Sequence, residues 1–150
     1  MSGNINRVKG QEARGKNGGQ EKGARDMGEG IGFKKLLAWQ RSYHLALEIY
    51  QELKRYPKEE QFALVSKMRR AALSVPANIA EGYERKSRKD YVHFLRIAKG
   101  SLSELETYLL FSRDLGYLPG SRFQEMEQIR SEVGRILTGL VRSLESRQVS

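Results

Sequence analysis

An all-α protein, an antiparallel up-down four-helix bundle, follows from three features of this sequence. Apolar residues recur at intervals of three and four through four long segments, the period of one helix face. The breaks between them are short and hold Pro57, Gly82 and the Gly116…Pro119-Gly120 group, and short connections make consecutive helices antiparallel neighbours. Nowhere does the chain alternate apolar and polar residues as a strand would.

Residues 1–32 hold nine of the fifteen glycines and few large apolar residues besides Ile5, Val8, Met27 and Ile31. That is too little to offset the entropy of an ordered chain, so a disordered, Gly-rich basic tail is expected over 1–32 and the bundle over 33–150. Within the tail, Gly10-Gln11-Glu12-Ala13-Arg14-Gly15-Lys16-Asn17 falls one residue short of a phosphate-binding loop. Asn17 stands where Ser or Thr would reach magnesium, and no strand precedes it to hold the backbone N–H groups on a phosphate. The match is read as chance.

The first helix is expected from about Phe33 to Arg55, with Leu36, Trp39, Tyr43, Ala46, Tyr50 and Leu53 on its inner face and Leu47 and Ile49 widening it. Pro57 closes it, because the residue before a proline is pushed out of helical geometry. The second helix starts near Lys58, where Glu59 and Glu60 suit the positive end of a helix dipole, and ends at Gly82-Tyr83. Leu64, Met68, Ala71, Ala72, Val75 and Ile79 form its buried stripe. Pro76 removes the backbone bond to residue 72 and should kink the helix, leaving freed groups for Asn78 and Glu81. A polar stripe runs beside the apolar one at Lys67, Arg70, Ser74, Asn78, Glu81 and Arg85. A solvated face would suffice for it, but Ser74 and Ala71 are small enough to suggest contact with another subunit.

Ser87-Arg88-Lys89-Asp90 has the spacing of a capping box for the third helix. Its core face is Tyr91, Phe94, Leu95, Ala98, Leu102, Leu105 and Leu109. Gly100 lies mid-helix beside Ser101, at a cost of about 1 kcal/mol relative to alanine, which close approach of another helix would offset. Gly116 ends this helix and Pro119-Gly120 makes the turn. Ser121 and Gln124 have the spacing of a second capping box, followed by the stripe Phe123, Met126, Ile129, Val133, Ile136, Leu137, Leu140 and Leu144.

The side chains exclude much chemistry. Without cysteine, disulfides and thiolate metal sites are unavailable. His44 and His93 stand alone, with Arg41 and Asp90 where a di-iron bundle would place Glu three residues earlier. No nucleophile–base pair suggests itself, so no enzyme, no metal and no cofactor is expected. No apolar run reaches the roughly 18 residues of a membrane span, and the N-terminus lacks a secretion signal; a cytoplasmic protein without membrane contact is expected.

The charge is more informative. The chain has 27 basic and 18 acidic residues, a net +9, of which residues 33–150 carry +7. Nine of the basic residues, against four acids, fall between Lys67 and Glu104. Such a field favours polyanions, RNA, DNA or an acidic protein face, although it can also serve solubility alone.

The run Arg69-Arg70-Ala71-Ala72-Leu73-Ser74-Val75-Pro76-Ala77-Asn78-Ile79-Ala80-Glu81-Gly82 and the later Phe94-Leu95-Arg96-Ile97-Ala98-Lys99-Gly100-Ser101-Leu102-Ser103-Glu104-Leu105-Glu106 carry a resemblance. With the Trp39-Gln40 pair, they resemble the bacterial four-helix-bundle proteins encoded within intervening sequences of large-subunit ribosomal RNA. The same fold class includes the accessory variability determinants of diversity-generating retroelements. The resemblance covers about the last 110 residues and leaves the tail outside. It implies a homopentameric barrel with basic surfaces and, for the retroelement branch, nucleic-acid binding beside a reverse transcriptase.

The resulting expectation is a non-enzymatic pentamer that binds RNA or DNA through phosphates and acts with a reverse transcriptase. Arg69, Arg70, Arg85, Lys86, Arg88, Lys89, Arg96 and Lys99 are its candidate phosphate contacts. Ser74, Asn78, Glu81, Gly100 and Ser101 are its candidate subunit contacts. With few aromatics among the cations apart from Tyr83 and Tyr91, binding should follow shape and charge rather than base identity. The alternative is a structural or protein-interaction bundle with no nucleic-acid role.

Overall fold

The computed structural model describes residues 31–149, with the side chains of 148 and 149 excepted. The expected tail, and with it the near-match to a phosphate loop, lies outside the described residues apart from Ile31 and Gly32. Four helices follow: α1 (Leu37–Leu53), α2 (Leu64–Tyr83), α3 (Arg88–Asp114) and α4 (Gly120–Val149), with single 3-10 turns at Gly32–Lys35 and Lys58–Glu60. Among the described residues there is no β-strand.

Each helix packs on its sequence neighbours and α4 returns to α1. The side-chain register runs antiparallel throughout. Met68 meets Ser112 and Ser74 meets Ser101 between α2 and α3. Leu102 meets Arg130, and Arg96 meets Glu145, between α3 and α4. Glu48 meets Arg122 and Arg41 meets Glu132 between α1 and α4. One core fills the centre, with Leu45, Ile49, Met68, Ile79, Leu95, Leu105, Leu109, Met126 and Leu137 fully buried. The apolar stripe of α2 is buried as its periodicity requires, and those of α3 and α4 are buried apart from the half-buried Tyr91, Phe94, Ile129 and Ile136.

The α1 stripe is rotated from the expected one. Ala38, Ser42, Leu45, Ala46, Ile49 and Leu53 face the core, whereas Tyr43 is exposed and Trp39 and Tyr50 are half-buried. The aromatics form their own edge instead: Trp39 stacks on Tyr43 at 4.8 Å and tilts against Phe33 at 5.3 Å. Large rings with polar tips suit such a border, and the small residues beside them let α1 approach its neighbours.

Helix starts also differ from expectation. α1 begins at Leu37, not Phe33, because Gly32 takes φ +62° and Leu36 is extended. α2 begins at Leu64, since Pro57 to Glu60 close a separate 3-10 turn and Ala63, at φ −122° and ψ −100°, interrupts the helix. Ser87 does cap α3, its hydroxyl accepting the Asp90 N–H at 3.0 Å. Ser121 caps nothing: the Phe123 N–H reaches the Pro119 carbonyl at 2.9 Å, so α4 has already begun at Gly120. Gly116, at φ +83°, ends α3 in the left-handed conformation that lets Tyr117 N–H return to the Ser112 carbonyl at 2.9 Å.

Two contacts lock the helices where sequence periodicity is silent. A Cβ on Gly82 would come within 2.9 Å of the Phe94 Cβ and 3.2 Å of the Tyr91 carbonyl oxygen, so glycine permits the tight α2–α3 turn. At Gly100, where a close approach was expected, no atom of another described element lies within 4 Å of a Cβ. Across α1 and α4, Arg122 joins Glu48 at 2.6 Å, the buried Glu52 at 3.4 Å, and Glu125. The bond from Glu48 raises the pKa of Arg122 against the opposing effect of burial.

Candidate functional site

Pro76 sits in α2 without ending it, buried against the core. Two residues on either side, the polar stripe turns inward. Asn78 Nδ2 donates to the Ser74 carbonyl at 2.8 Å and lies 2.9 Å from the Ser74 Oγ; Ser101 Oγ on α3 lies 2.8 Å from the same hydroxyl. Ser74, Asn78 and Ser101 thus share one hydrogen-bonded cluster inside the subunit. Glu81 is exposed and takes the Arg85 guanidinium at 2.7 Å.

Outside that cluster the α2–α3 seam opens into a groove of about 560 Å³, lined by Lys67, Arg70, Ala71, Ser74, Ser101, Glu104 and Tyr108. Further along the same two helices stand Leu73 and Ala77 of α2 and Ile97 and Gly100 of α3. All four are exposed, Leu73 by 49% and Ile97 by 39%.

The eight sequence-predicted cations divide by surroundings. Arg69 turns toward α1, its guanidinium 5.6 Å from the Tyr50 ring centre, and its Nε is buried without a hydrogen-bond partner. Arg85 is held by Glu81 and stacks 4.8 Å from the Phe94 ring. Arg96 pairs with Glu145 of α4. The charge of these two is compensated locally. Arg70 lines the α2–α3 groove, Lys99 faces the opposite flank of α3, and Lys86, Arg88 and Lys89 stand exposed on the turn. None of these five takes part in an ion pair among the described residues. Lys86, Arg88 and Lys89 thus lie close in the chain at the turn, Arg70 and Lys99 lie on the two flanks of α3, and Arg69 faces α1.

On that opposite flank, α3 and α4 enclose a second open groove of about 460 Å³. Arg130, Arg135 and Arg142 of α4 line it together with Lys99. None of the three arginines is among the sequence-predicted contacts. Their signal was present in the chain: Ser131, Arg135, Thr138 and Arg142 recur at three and four residues, as a polar stripe beside the apolar one.

Among the described residues, no three His, Asp or Glu side chains are grouped as metal ligands, and no helix is long and apolar enough to cross a membrane.

The chain is similar to a solved protein of unknown function from the S23 ribosomal protein family of Bacteroides thetaiotaomicron. The similarity has a TM-score of 0.66 at 22% identity, over 71% of this chain and 96% of the other, which is likeness of fold. No curated protein matches the chain. The model of the 23S rRNA-intervening sequence protein family matches residues 34–139, from the 3-10 turn before α1 to the third quarter of α4. The chain belongs to the 23S rRNA-intervening sequence protein family.

Proposed function

We propose that the protein is a non-enzymatic, polyanion-binding bundle that engages RNA or DNA through phosphates. One observation carries this reading: the cations around the α2–α3 turn and along both sides of α3 largely lack carboxylate partners. Lys86, Arg88 and Lys89 are all exposed within four residues at the turn, and Lys67 and Arg70 line the groove along α2. Uncompensated cations attract phosphate and release its counterions. Aromatic platforms are scarce beside them, so affinity should not depend on base sequence.

Assembly into a pentamer belongs to the same reading. Leu73, Ala77, Ile97 and Gly100 are apolar or small residues of α2 and α3 open to solvent, suited to meeting another helix surface. Five copies at +7 would carry about +35 and bind phosphates with steep salt dependence. Action beside a reverse transcriptase rests on the sequence resemblance described above. The exposed apolar face also favours a second reading, a protein-interaction bundle whose charges only keep it soluble.

Light scattering followed by an RNA gel shift separates the two. The first reading expects an oligomer that shifts RNA at low salt, and loss of most of that shift when Arg85, Lys86, Arg88 and Lys89 become alanine. An intact oligomer that leaves RNA unshifted at low salt supports the second.

A further inference from the structure

We infer that the groove between α3 and α4 is a phosphate-recognition site in which Arg135, Arg142 and Lys99 make the direct contacts. This rests on the polyanion reading above and deepens it by placing the contact on a flank of the bundle, away from the α2–α3 turn.

Among the described residues, four cations line this groove and no carboxylate does. Arg130 is the one already satisfied. Its side chain is 12% exposed and is gripped by both oxygens of Glu127, at 2.8 and 2.6 Å, with the Leu102 carbonyl 3.4 Å away. Hydrogen bonding to Glu127 raises its pKa against the opposing effect of burial, and with Glu106 also 3.6 Å away its charge is offset, so it shapes the groove wall without being one of the free cations. Arg135 is exposed and donates to the Ser131 Oγ at 3.0 Å, a neutral partner that leaves its charge uncompensated. Lys99 and Arg142 enter no ion pair among the described residues.

The acids nearby are engaged by other cations or by Arg130 itself. Glu145 holds Arg96, Glu132 lies 3.4 Å from Arg41, and Glu106 and Glu127 face Arg130. Like charges gathered on one concave surface repel, and a bound anion removes that cost. The shape favours a phosphate over a base. Ser103, Ser131 and Thr138 offer hydroxyls, and among the described residues no aromatic ring lines the groove to serve as a stacking platform. Gly134 keeps the α4 side open: a Cβ there would come no nearer than 4.0 Å to Leu102, although alanine would favour the helix by about 1 kcal/mol. The phosphate can come from a polynucleotide backbone or from a free polyphosphate.

The test compares the full chain with K99A/R135A/R142A and with K34A/K54A/K58A, which removes the same charge elsewhere. Circular dichroism checks that each is folded. Binding of a labelled single-stranded RNA is followed by anisotropy across a salt series, and binding of inorganic tripolyphosphate by calorimetry. The groove variant should lose at least about tenfold in RNA affinity. The slope of log affinity against log salt should flatten by about 2, from three contacts at about 0.7 each. The control should keep the slope, and tripolyphosphate binding should vanish in the groove variant alone. Unchanged RNA affinity and slope in the groove variant overturn the site, and leave the nucleic-acid reading standing if the Arg85, Lys86, Arg88 and Lys89 variant loses RNA. Tripolyphosphate bound through the groove by a chain that ignores RNA upholds the site and removes the polynucleotide. Failure of the full chain to bind either ligand removes both.

Discussion

At Gly82 a methyl group would press on the Phe94 Cβ at 2.9 Å and on the Tyr91 backbone. The latter cannot rotate away as a flexible side-chain tip could. Gly82→Ala should therefore destabilise the fold by about 1–3 kcal/mol through overpacking, despite alanine's better helix propensity, as chemical denaturation would report. A gain in stability would mean that the α2–α3 turn yields more easily than its geometry implies. Sequence periodicity could mark Gly100 as unusual, because a mid-helix glycine is visible in one dimension. Which glycine another backbone approaches depends on register across a turn, and that belongs to three dimensions. The same limit applies to Arg69, Arg85 and Arg96: their charge is legible in the chain, but their partners Tyr50, Phe94 and Glu145 are set by packing.

Among the elements, α2, α3 and α4 declare their buried faces clearly, because Leu, Ile, Val and Met carry the helical period. α1 misleads because its largest apolar groups are aromatics, which settle at the border while Ala38 and Ser42 go inside. Caps show a similar limit. Both Ser87 and Ser121 have suitable spacing, yet only Ser87 meets a backbone N–H three residues later. Ser87→Ala should cost about 1 kcal/mol and Ser121→Ala less than about 0.5 kcal/mol, a contrast that thermal melts of the two variants can read. The α1–α4 contact offers a stronger lever. Arg122→Ala leaves Glu52, which is 5% exposed, with Arg55 alone beside it, and removing one partner of a buried pair costs up to about 3 kcal/mol. Because Arg55 also lies 3.5 Å from Glu52, adding Glu52→Gln should recover part of that loss in a double-mutant comparison.

For the whole molecule, the family and the four-helix architecture were legible from the α2 and α3 motifs, whose residues are tied to the fold. The proposed binding surface was legible only in part. Local density of Lys and Arg pointed to the stretch between Lys67 and Glu104, and the turn cations Lys86, Arg88 and Lys89 are exposed there. Arg135 and Arg142 are far from that stretch in sequence and reach Lys99 only through antiparallel pairing of α3 with α4. A surface assembled from separate helices is invisible to a count along the chain. The central claim is that these uncompensated cations exist to meet phosphate. It is tested most directly by the affinity of the purified full chain for single-stranded RNA, measured across a salt series. The account predicts a straight, steep fall of log affinity with log salt, at about 0.7 per phosphate contact. An affinity indifferent to salt, or none at the lowest salt, would contradict it.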